Sequence, residues 1–402
     1  MADGWSQEWS NAVFSLDERD RRWARVRSLM ARDGVDLIVC LPWTSNHDRG
    51  QADPRYLTQL GENSDETTVA FPLEGDVTAW HSRGGVWPSS NWFSDIRAAG
   101  RGTGGATVVG WLREKGFRRG TIGVSGLTGG VLSHSRSLEG ETNWQSVQII
   151  KEAFPDARVV SATDLLAEAR YQKSEEEIEF LRKGTWLAEQ VLGSVVEHAR
   201  PGVAEREVWA RMHYTFADLG GSYEPMFGWI SGPLGDTYHR VEQPTFRSFA
   251  EGDVLVVEFD GRWGGYISQI DQLFTFGKAP DEVRGAMELT YESFNRVVDA
   301  MKPGVTVREL MKAGEVDGLG GRGAARLTLH GRGTGDDGPL VAGRFDPRVL
   351  DVEMKEGSVM VVKPSATVDG RSDYGRWGDT VVVRAGGAER LGTRPQTLVE
   401  LV

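Results

Sequence analysis

An α+β fold, with an N-terminal α/β domain followed by a pseudo-twofold domain of helices and β-hairpins, is the class this sequence predicts. Two observations carry that reading. The first is an internal repeat. Arg200-Pro201-Gly202-Val203 returns as Lys302-Pro303-Gly304-Val305 (303 − 201 = 102), each time ahead of a helical run. Gly252-Asp253-Val254 returns as Gly357-Ser358-Val359 (357 − 252 = 105). Two unrelated features sharing nearly one offset imply two halves, each of helices followed by a hairpin, whose hairpins face one central cleft. The second observation is the alternation of short strands and helices up to about residue 160, which suggests an α/β layer. The expected domains are 1–165 and 166–402.

Taken in order, residues 16–33 set apolar side chains at helical spacing among charges and stop at Gly34, predicting a helix. Residues 35–41 read as a strand. Residues 42–54 are polar and irregular, with Trp43, Asn46, His47 and Asp48. Strands are predicted over 67–71 and 76–81, helices over 90–99 and 105–115, and a strand over 120–124. Residues 161–173 form the join. Ser174 with Glu177 three residues on matches a capping box and opens a long amphipathic helix, which Arg200-Pro201-Gly202 stops. Another helix is predicted over 203–220.

Residues 252–277 read as a β-hairpin, with a β-rich apolar run, turn residues Trp263-Gly264-Gly265, and a second alternating strand. A turn centred between Trp263 and Gly264 puts Glu258 opposite Gln269 (258 + 269 = 263 + 264 = 527). In that register Asp260 faces Ile267 and Asp271 faces Val256. The stretch from Gly357 begins in the same way, and Lys363 stands six residues after its glycine, as Glu258 does in the first copy.

A chain of 402 residues is long enough for two or three domains, each with its own core. Its net charge of −12 argues against nucleic acid or an anionic membrane as the main partner. The lone cysteine, Cys40, follows an apolar run; it excludes an internal disulfide, fits a reducing compartment and reads as a buried structural thiol. No basic and apolar leader opens the chain, and no apolar run is long enough to span a bilayer, so the expected location is cytoplasmic.

The repeat, preceded by a smaller α/β domain, resembles the pita-bread family that includes creatinase, aminopeptidase P, prolidase and methionine aminopeptidase. Local motifs agree with it. Asp164-Leu165-Leu166, Arg170 and Lys173-Ser174-Glu175-Glu176-Glu177-Ile178 resemble the family's junction. Ser231-Gly232-Pro233 with His239 resembles the strand carrying the active-site histidine, and Gly265-Tyr266-Ile267-Ser268 its hairpin turn. Leu329-His330-Gly331 and Gly378-Asp379-Thr380-Val381-Val382-Val383 resemble the histidine loop and the closing strand.

The resemblance implies two divalent ions held by two aspartates, one histidine and two glutamates. Carried over position by position, these ligands fall on Glu258, Gln269, Thr334, Lys363 and Gly378. Of these only Glu258 is a strong ligand: lysine is a donor, glycine has no side chain and a neutral amide binds weakly. The expectation is a lost dinuclear site, its centre filled by a Glu258–Lys363 ion pair, with neither metal nor other cofactor. Asp260 and Asp271 keep the spacing of the missing aspartates (271 − 260 = 11), but the register above sets them on different rungs; only a bulge there would leave residual metal binding open.

Creatinase works in this fold without metal, so the resemblance points to His239 as general acid and base, a role its ordinary pKa suits. The expected catalytic set is His239, Lys363, Glu258 and Asp271, with Asp271 orienting His239 or holding a cationic group. The glycine-rich stretch 329–339 carries His330, Arg332 and Thr334, besides Asp336 and Asp337, and its glycines let backbone N–H groups approach a ligand. His330, Arg332, Thr334, Gln269, Tyr374 and Arg376 are the expected substrate-binding residues. The reading is a metal-independent, creatinase-like hydrolase or lyase that cleaves a C–N or similar bond of a small polar molecule. A non-catalytic binding module and an Xaa-Pro-type metallopeptidase with displaced ligands stand as alternatives. Resemblance also implies a homodimer, with 43–54 as the candidate border to the partner's cleft.

Overall fold

The computed structural model describes residues 13–41, 51–61, 67–81, 92–99, 102–132, 139–222, 227–235, 240–241, 244–335, 337–342 and 345–402. Two compact units emerge: residues 1–176 with 334–338, and residues 177–333 with 339–402. None of the described helices is long and apolar enough to cross a membrane.

The first unit is a twisted sheet with helices on both faces. Its elements are α1 (Leu16–Asp33), β1 (Leu37–Cys40), α2 (Ala52–Thr58), β2 (Thr67–Pro72), β3 (Thr78–His81), β4 (Asp95–Ala98), α3 (Gly104–Glu114), β5 (Thr121–Val124), α4 (Trp144–Ala153), β6 (Arg158–Ser161) and α5 (Thr163–Tyr171). The strand order is β4-β3-β2-β1-β5-β6. Helix α1 starts where the Ser15 hydroxyl accepts from the Glu18 N–H and ends where Gly34 turns left-handed (φ 64°), as its sequence predicts. Strand β1 alternates between two cores. Ile38 and Cys40 pack with Val26, Met30, Tyr56 and Leu166, whereas Leu37 and Val39 pack with Val108, Leu112 and Ile150.

The helix expected over 90–99 is not there in its described part. Asp95–Ala98 is an edge strand parallel to β3, with Thr78 opposite Asp95 and Ala79 opposite Ile96. Pairing with a waiting sheet edge outweighs the local helical pattern over so short a segment. Helix α4 and strand β6 were absent from the sequence reading altogether.

The second unit runs α6 (Glu175–His198), α7 (Glu205–Asp218), β7 (Phe227–Pro233), β8 (Arg240–Val241), β9 (Asp253–Trp263), β10 (Tyr266–Phe276), α8 (Asp281–Ala300), α9 (Val307–Ala313), β11 (Val316–Gly318), β12 (Gly323–Gly331), β13 (Leu340–Val341), β14 (Val359–Val368), β15 (Arg371–Arg384), β16 (Gly387–Arg390) and β17 (Val399–Leu401). One sheet follows the order β11-β12-β14-β15-β10-β9-β7-β8. Its halves meet where β10 pairs with β15, Asp271 opposite Gly378 and Gln272 opposite Trp377.

The repeat is visible bond by bond. Gly202 N–H donates to Phe249 O, Phe249 N–H to Val203 O and Glu205 N–H to Arg247 O. In the second half Gly304 donates to Met354, Met354 to Val305 and Val307 to Val352. The offsets are 102 on one side of each pair (304 − 202) and 105 on the other (354 − 249). Gly202 and Gly304 share a left-handed φ of 90° and 88°, which explains the glycine in both copies.

The first hairpin departs from its expected register. Gly264 and Gly265 both have positive φ (56° and 78°) and alone form the turn, so Trp263 pairs with Tyr266. Two left-handed residues in succession match the twist of the flanking strands. The centre of symmetry therefore lies one residue further along. Glu258 faces Asp271 rather than Gln269, and Gln269 faces Asp260. A two-residue slip preserves which side chains share a face, so the polar set stays together.

Cys40 is buried, and burial pushes its thiol up to about 12, outweighing a hydrogen bond from Ser125 and the Arg170 charge. Folded protein should therefore leave a thiol-reactive dye unreacted at mildly alkaline pH, while urea-unfolded protein consumes one equivalent. Rapid labelling of the folded chain would contradict this placement.

Candidate active site

Strands β9 and β10 turn Leu255, Val257, Phe259, Ile270 and Phe274 toward α6 and α7, where they pack with Leu187, Val191, Val208 and Met212. Strand alternation then sends Glu258, Asp260, Gln269 and Asp271 to the opposite face. Lys363 from β14 and Arg376 from β15 meet them there.

Lys363 Nζ donates to Glu258 Oε1 at 2.8 Å and to Gln269 Oε1 at 2.9 Å. Arg376 bridges the two facing carboxylates, Nη2 to Glu258 Oε2 at 2.6 Å and Nε to Asp271 Oδ2 at 2.8 Å. The Gln269 amide donates to Asp260 Oδ1 at 2.7 Å, and Arg332 Nη2 reaches the same oxygen at 2.7 Å. His330 Nε2 lies 3.0 Å from Gln269 Oε1. Gln269 is held in turn by Thr380, whose hydroxyl accepts from its N–H and donates to its carbonyl. Every carboxylate of this face thus touches at least one cationic side chain.

Glycines make the approach of these groups possible. A Cβ on Gly378 would lie 2.5 Å from the Lys363 Cβ, and one on Gly228, opposite Glu258, would lie 2.8 Å from the Glu258 Cβ. Arg394 braces the junction of the halves, donating to the carbonyls of Asp271 and Gly378 and to Gln272 Oε1, with Trp377 beneath its guanidinium.

Solvent reaches only part of the network. The side chains of Glu258 and Arg376 are 17% and 18% exposed and that of Lys363 8%, against 1% for Asp260, Asp271 and Arg332. Burial alone would raise the Glu258 carboxyl. Lys363 and Arg376, with a smaller share from His330, outweigh it and hold the group far below the usual carboxylate range.

Of the residues expected from sequence, Glu258, Gln269, Asp271, His330, Arg332, Lys363 and Arg376 are brought together. Tyr374 is buried, with the Arg371 guanidinium 5.5 Å from its ring, and takes part in none of these bonds. Thr334 belongs to the segment grouped with the first unit, where its carbonyl accepts from Arg55. In the same unit Asp337 accepts from Arg170 at 3.1 Å and Lys173 at 2.9 Å, which gives those two junction residues a structural task. His239 and Asp336 lie outside the described residues, as do positions 43–50 of the proposed dimer border. Sequence reasoning missed Asp260 as the partner of Gln269 and Arg332, and it missed Thr380 and Arg394. Gly264-Gly265, read as the whole turn, would have given the first of these.

The profile of metallopeptidase family M24 matches residues 179–385. The chain belongs to metallopeptidase family M24. Among curated proteins, an Xaa-Pro dipeptidase of Pyrococcus furiosus is 28% identical over 260 residues, covering 63% of this chain and 72% of that protein. A creatinase of a Bacillus species is 24% identical over 318 residues, 74% of this chain and 70% of that one. Among solved structures, the X-Pro aminopeptidase of Thermotoga maritima superposes with a TM-score of 0.72 at 20% identity, covering 94% of this chain and 99% of the other. The pita-bread architecture expected from the repeat is thereby shown. Of the five positions carried over above from the resemblance, Glu258 and Gln269 both accept from Lys363, and a Cβ on Gly378 would meet the Lys363 stem.

Beside Gly378, Asp379 is fully buried, and burial raises its carboxyl to about 6 despite the Arg394 and Arg390 guanidinium groups. A raised folded-state value means that the folded chain binds more protons between about pH 4 and 6. This group's contribution to stability therefore falls as pH rises through that window. Asp379→Asn should remove the fall, so the difference in urea-unfolding free energy between wild type and variant should shift by a few kcal/mol from pH 4 to pH 7, at about 1.4 kcal/mol per unit of displacement. A difference independent of pH would show that Asp379 titrates normally.

Proposed function

We propose that this M24 chain is a hydrolase that cleaves a C–N bond of a small polar substrate without a bound metal pair, as the resemblance to creatinase implies. The observation carrying this reading is the Lys363 ammonium lodged on Glu258 and Gln269. The residues present do not suit a dinuclear centre. A pair of divalent ions calls for bridging carboxylates, whereas here three carboxylates already face Lys363, Arg376 and Arg332. Among the described residues no group of three or more histidine, cysteine, aspartate or glutamate side chains is placed to hold a metal ion.

In this reading Lys363 and Arg376 set the electrostatics of the cleft, while Glu258 and Asp271 orient them. His239 takes a proton from the attacking water and returns it to the leaving nitrogen. A cytoplasmic homodimer belongs to the same proposal. The names of the relatives favour a second reading, Xaa-Pro dipeptide hydrolysis dependent on divalent metal, in which the cationic side chains would have to give way to the ions.

Turnover of creatine-like amidines and of Xaa-Pro dipeptides, each with EDTA and with added Mn²⁺ or Co²⁺, separates the two. The expected result is hydrolysis of a C–N substrate that EDTA leaves unchanged and that His239→Ala lowers by about 10²–10⁴-fold. Xaa-Pro hydrolysis abolished by EDTA and restored by metal would establish the second reading. Absence of any turnover, with ligand binding retained, would point to a binding module instead.

A further inference from the structure

Strands β10 and β15 meet in the register pairs Asp271–Gly378 and Gln272–Trp377. Continued by two residues, that register sets Gln269 opposite Thr380 (271 + 378 = 269 + 380 = 649). At this rung a side chain takes the place of the ladder. The Gln269 N–H donates to Thr380 Oγ1 at 2.9 Å, and the same hydroxyl donates to the Gln269 carbonyl at 2.9 Å. The main-chain groups of Thr380 are engaged elsewhere: its N–H donates to Asp379 Oδ1 at 2.8 Å, and its carbonyl accepts from the Leu391 N–H at 2.9 Å. Thr380 and Gln269 are both buried, so bulk water does not compete for these bonds.

The pseudo-twofold repeat gives this rung a counterpart. Asp260 and Ser365 are equivalent (365 − 260 = 105), and the residues that face them across their hairpins are Gln269 and Arg376. The offset on these second strands is 107 (376 − 269), so the counterpart of Thr380 is Leu273 (380 − 107). Leucine has no group that could bridge an N–H and a carbonyl. The two equivalent rungs are therefore unlike, and the one with the hydroxyl carries Gln269. A strand residue held by both of its main-chain groups has its Cβ fixed in place. Only the rotamer remains, and the Gln269 amide settles it by accepting from Lys363 and donating to Asp260.

We infer that Thr380 is a positioning residue of this site: its hydroxyl replaces one rung between the halves and, through the main chain of Gln269, sets that amide on Lys363. This deepens the proposed metal-independent reading and rests on it. Valine has nearly the shape of threonine but would leave the N–H and carbonyl of Gln269 buried without these partners. Strand β10 must then shift to satisfy them, and the Gln269 oxygen leaves the ammonium. Serine keeps the hydroxyl and with it the arrangement.

Lysine-¹⁵N-labelled full-length protein provides the test, because a buried, hydrogen-bonded ammonium gives its own ¹H–¹⁵N resonance. Lys363→Arg, which removes that signal, assigns it. Thr380→Val should shift the Lys363 resonance or lose it to exchange with water, and Thr380→Ser should restore it. On the C–N substrate the valine variant should lose about 10²-fold in kcat, the cost of a misplaced site group, with KM little changed. An unchanged Lys363 resonance in Thr380→Val would overturn the inference, and so would equal losses in the valine and serine variants. Should the valine variant not fold, wild-type protein decides: the Thr380 hydroxyl proton should show a nuclear Overhauser effect to the Gln269 amide, and its absence contradicts the bridge. The parent reading fails separately. Wild-type turnover abolished by EDTA and restored by metal removes the metal-independent reading whatever the variants do, whereas a Lys363 signal indifferent to Thr380→Val removes only the positioning role.

Discussion

Lys363 Nζ lies 2.8 Å from Glu258 Oε1, and the two residues occupy equivalent places six residues after the repeated glycine of their hairpins. The contact joins the halves of the second unit, with Gln269 on the same ammonium and Gly378 against the Lys363 stem. A buried ion pair of this kind adds little net stability over an apolar pair of equal volume, whereas removing one partner alone costs roughly 3–5 kcal/mol. What the pair contributes is specificity of arrangement. It fixes the Gln269 amide, and through that amide Asp260, Arg332 and His330 take their places.

The backbone is built to allow it. Gly378 and Gly228 leave room for the stems of Lys363 and Glu258, and a side chain at either would displace one of them. Beneath the network the apolar alternates of β9 and β10 are locked against α6 and α7, so the polar alternates cannot rotate away. Arg394 ties β10 to β15 from the C-terminal end of the chain and holds the strand that carries Arg376. The site is therefore a consequence of strand alternation, two glycines and one bracing arginine, each readable as local chemistry.

Much of this was legible before any coordinates. The Pro-Gly and Gly-x-Val repeats gave the two halves because each marks a left-handed glycine that the fold uses twice. The Glu258–Lys363 ion pair was expected because a lysine in an apolar strand needs either a carboxylate partner or a lowered pKa, and the structure shows the first. Other features were hidden for physical reasons. The Gly264-Gly265 turn admits two centres one residue apart, and the sequence pattern on the strands, having a period of two, does not choose between registers that differ by two residues. Asp95–Ala98 is a strand only because β3 offers an edge. Thr380 acts on the main chain of Gln269, and Arg394 on the carbonyls of Asp271 and Gly378 besides the Gln272 side chain; main-chain partners carry no sequence signature. The placement of Asp337 against Arg170 and Lys173 depends on contacts made by residues more than 160 positions apart.

The central claim, that a lysine-centred network occupies the place of the M24 metal pair, is tested most directly by anomalous diffraction from crystals grown with Mn²⁺ and collected at the manganese edge. The account predicts no anomalous peak among Glu258, Gln269 and Lys363, with the ammonium still on both oxygens. Two peaks a few ångströms apart at that position, with Lys363 turned aside, would contradict it.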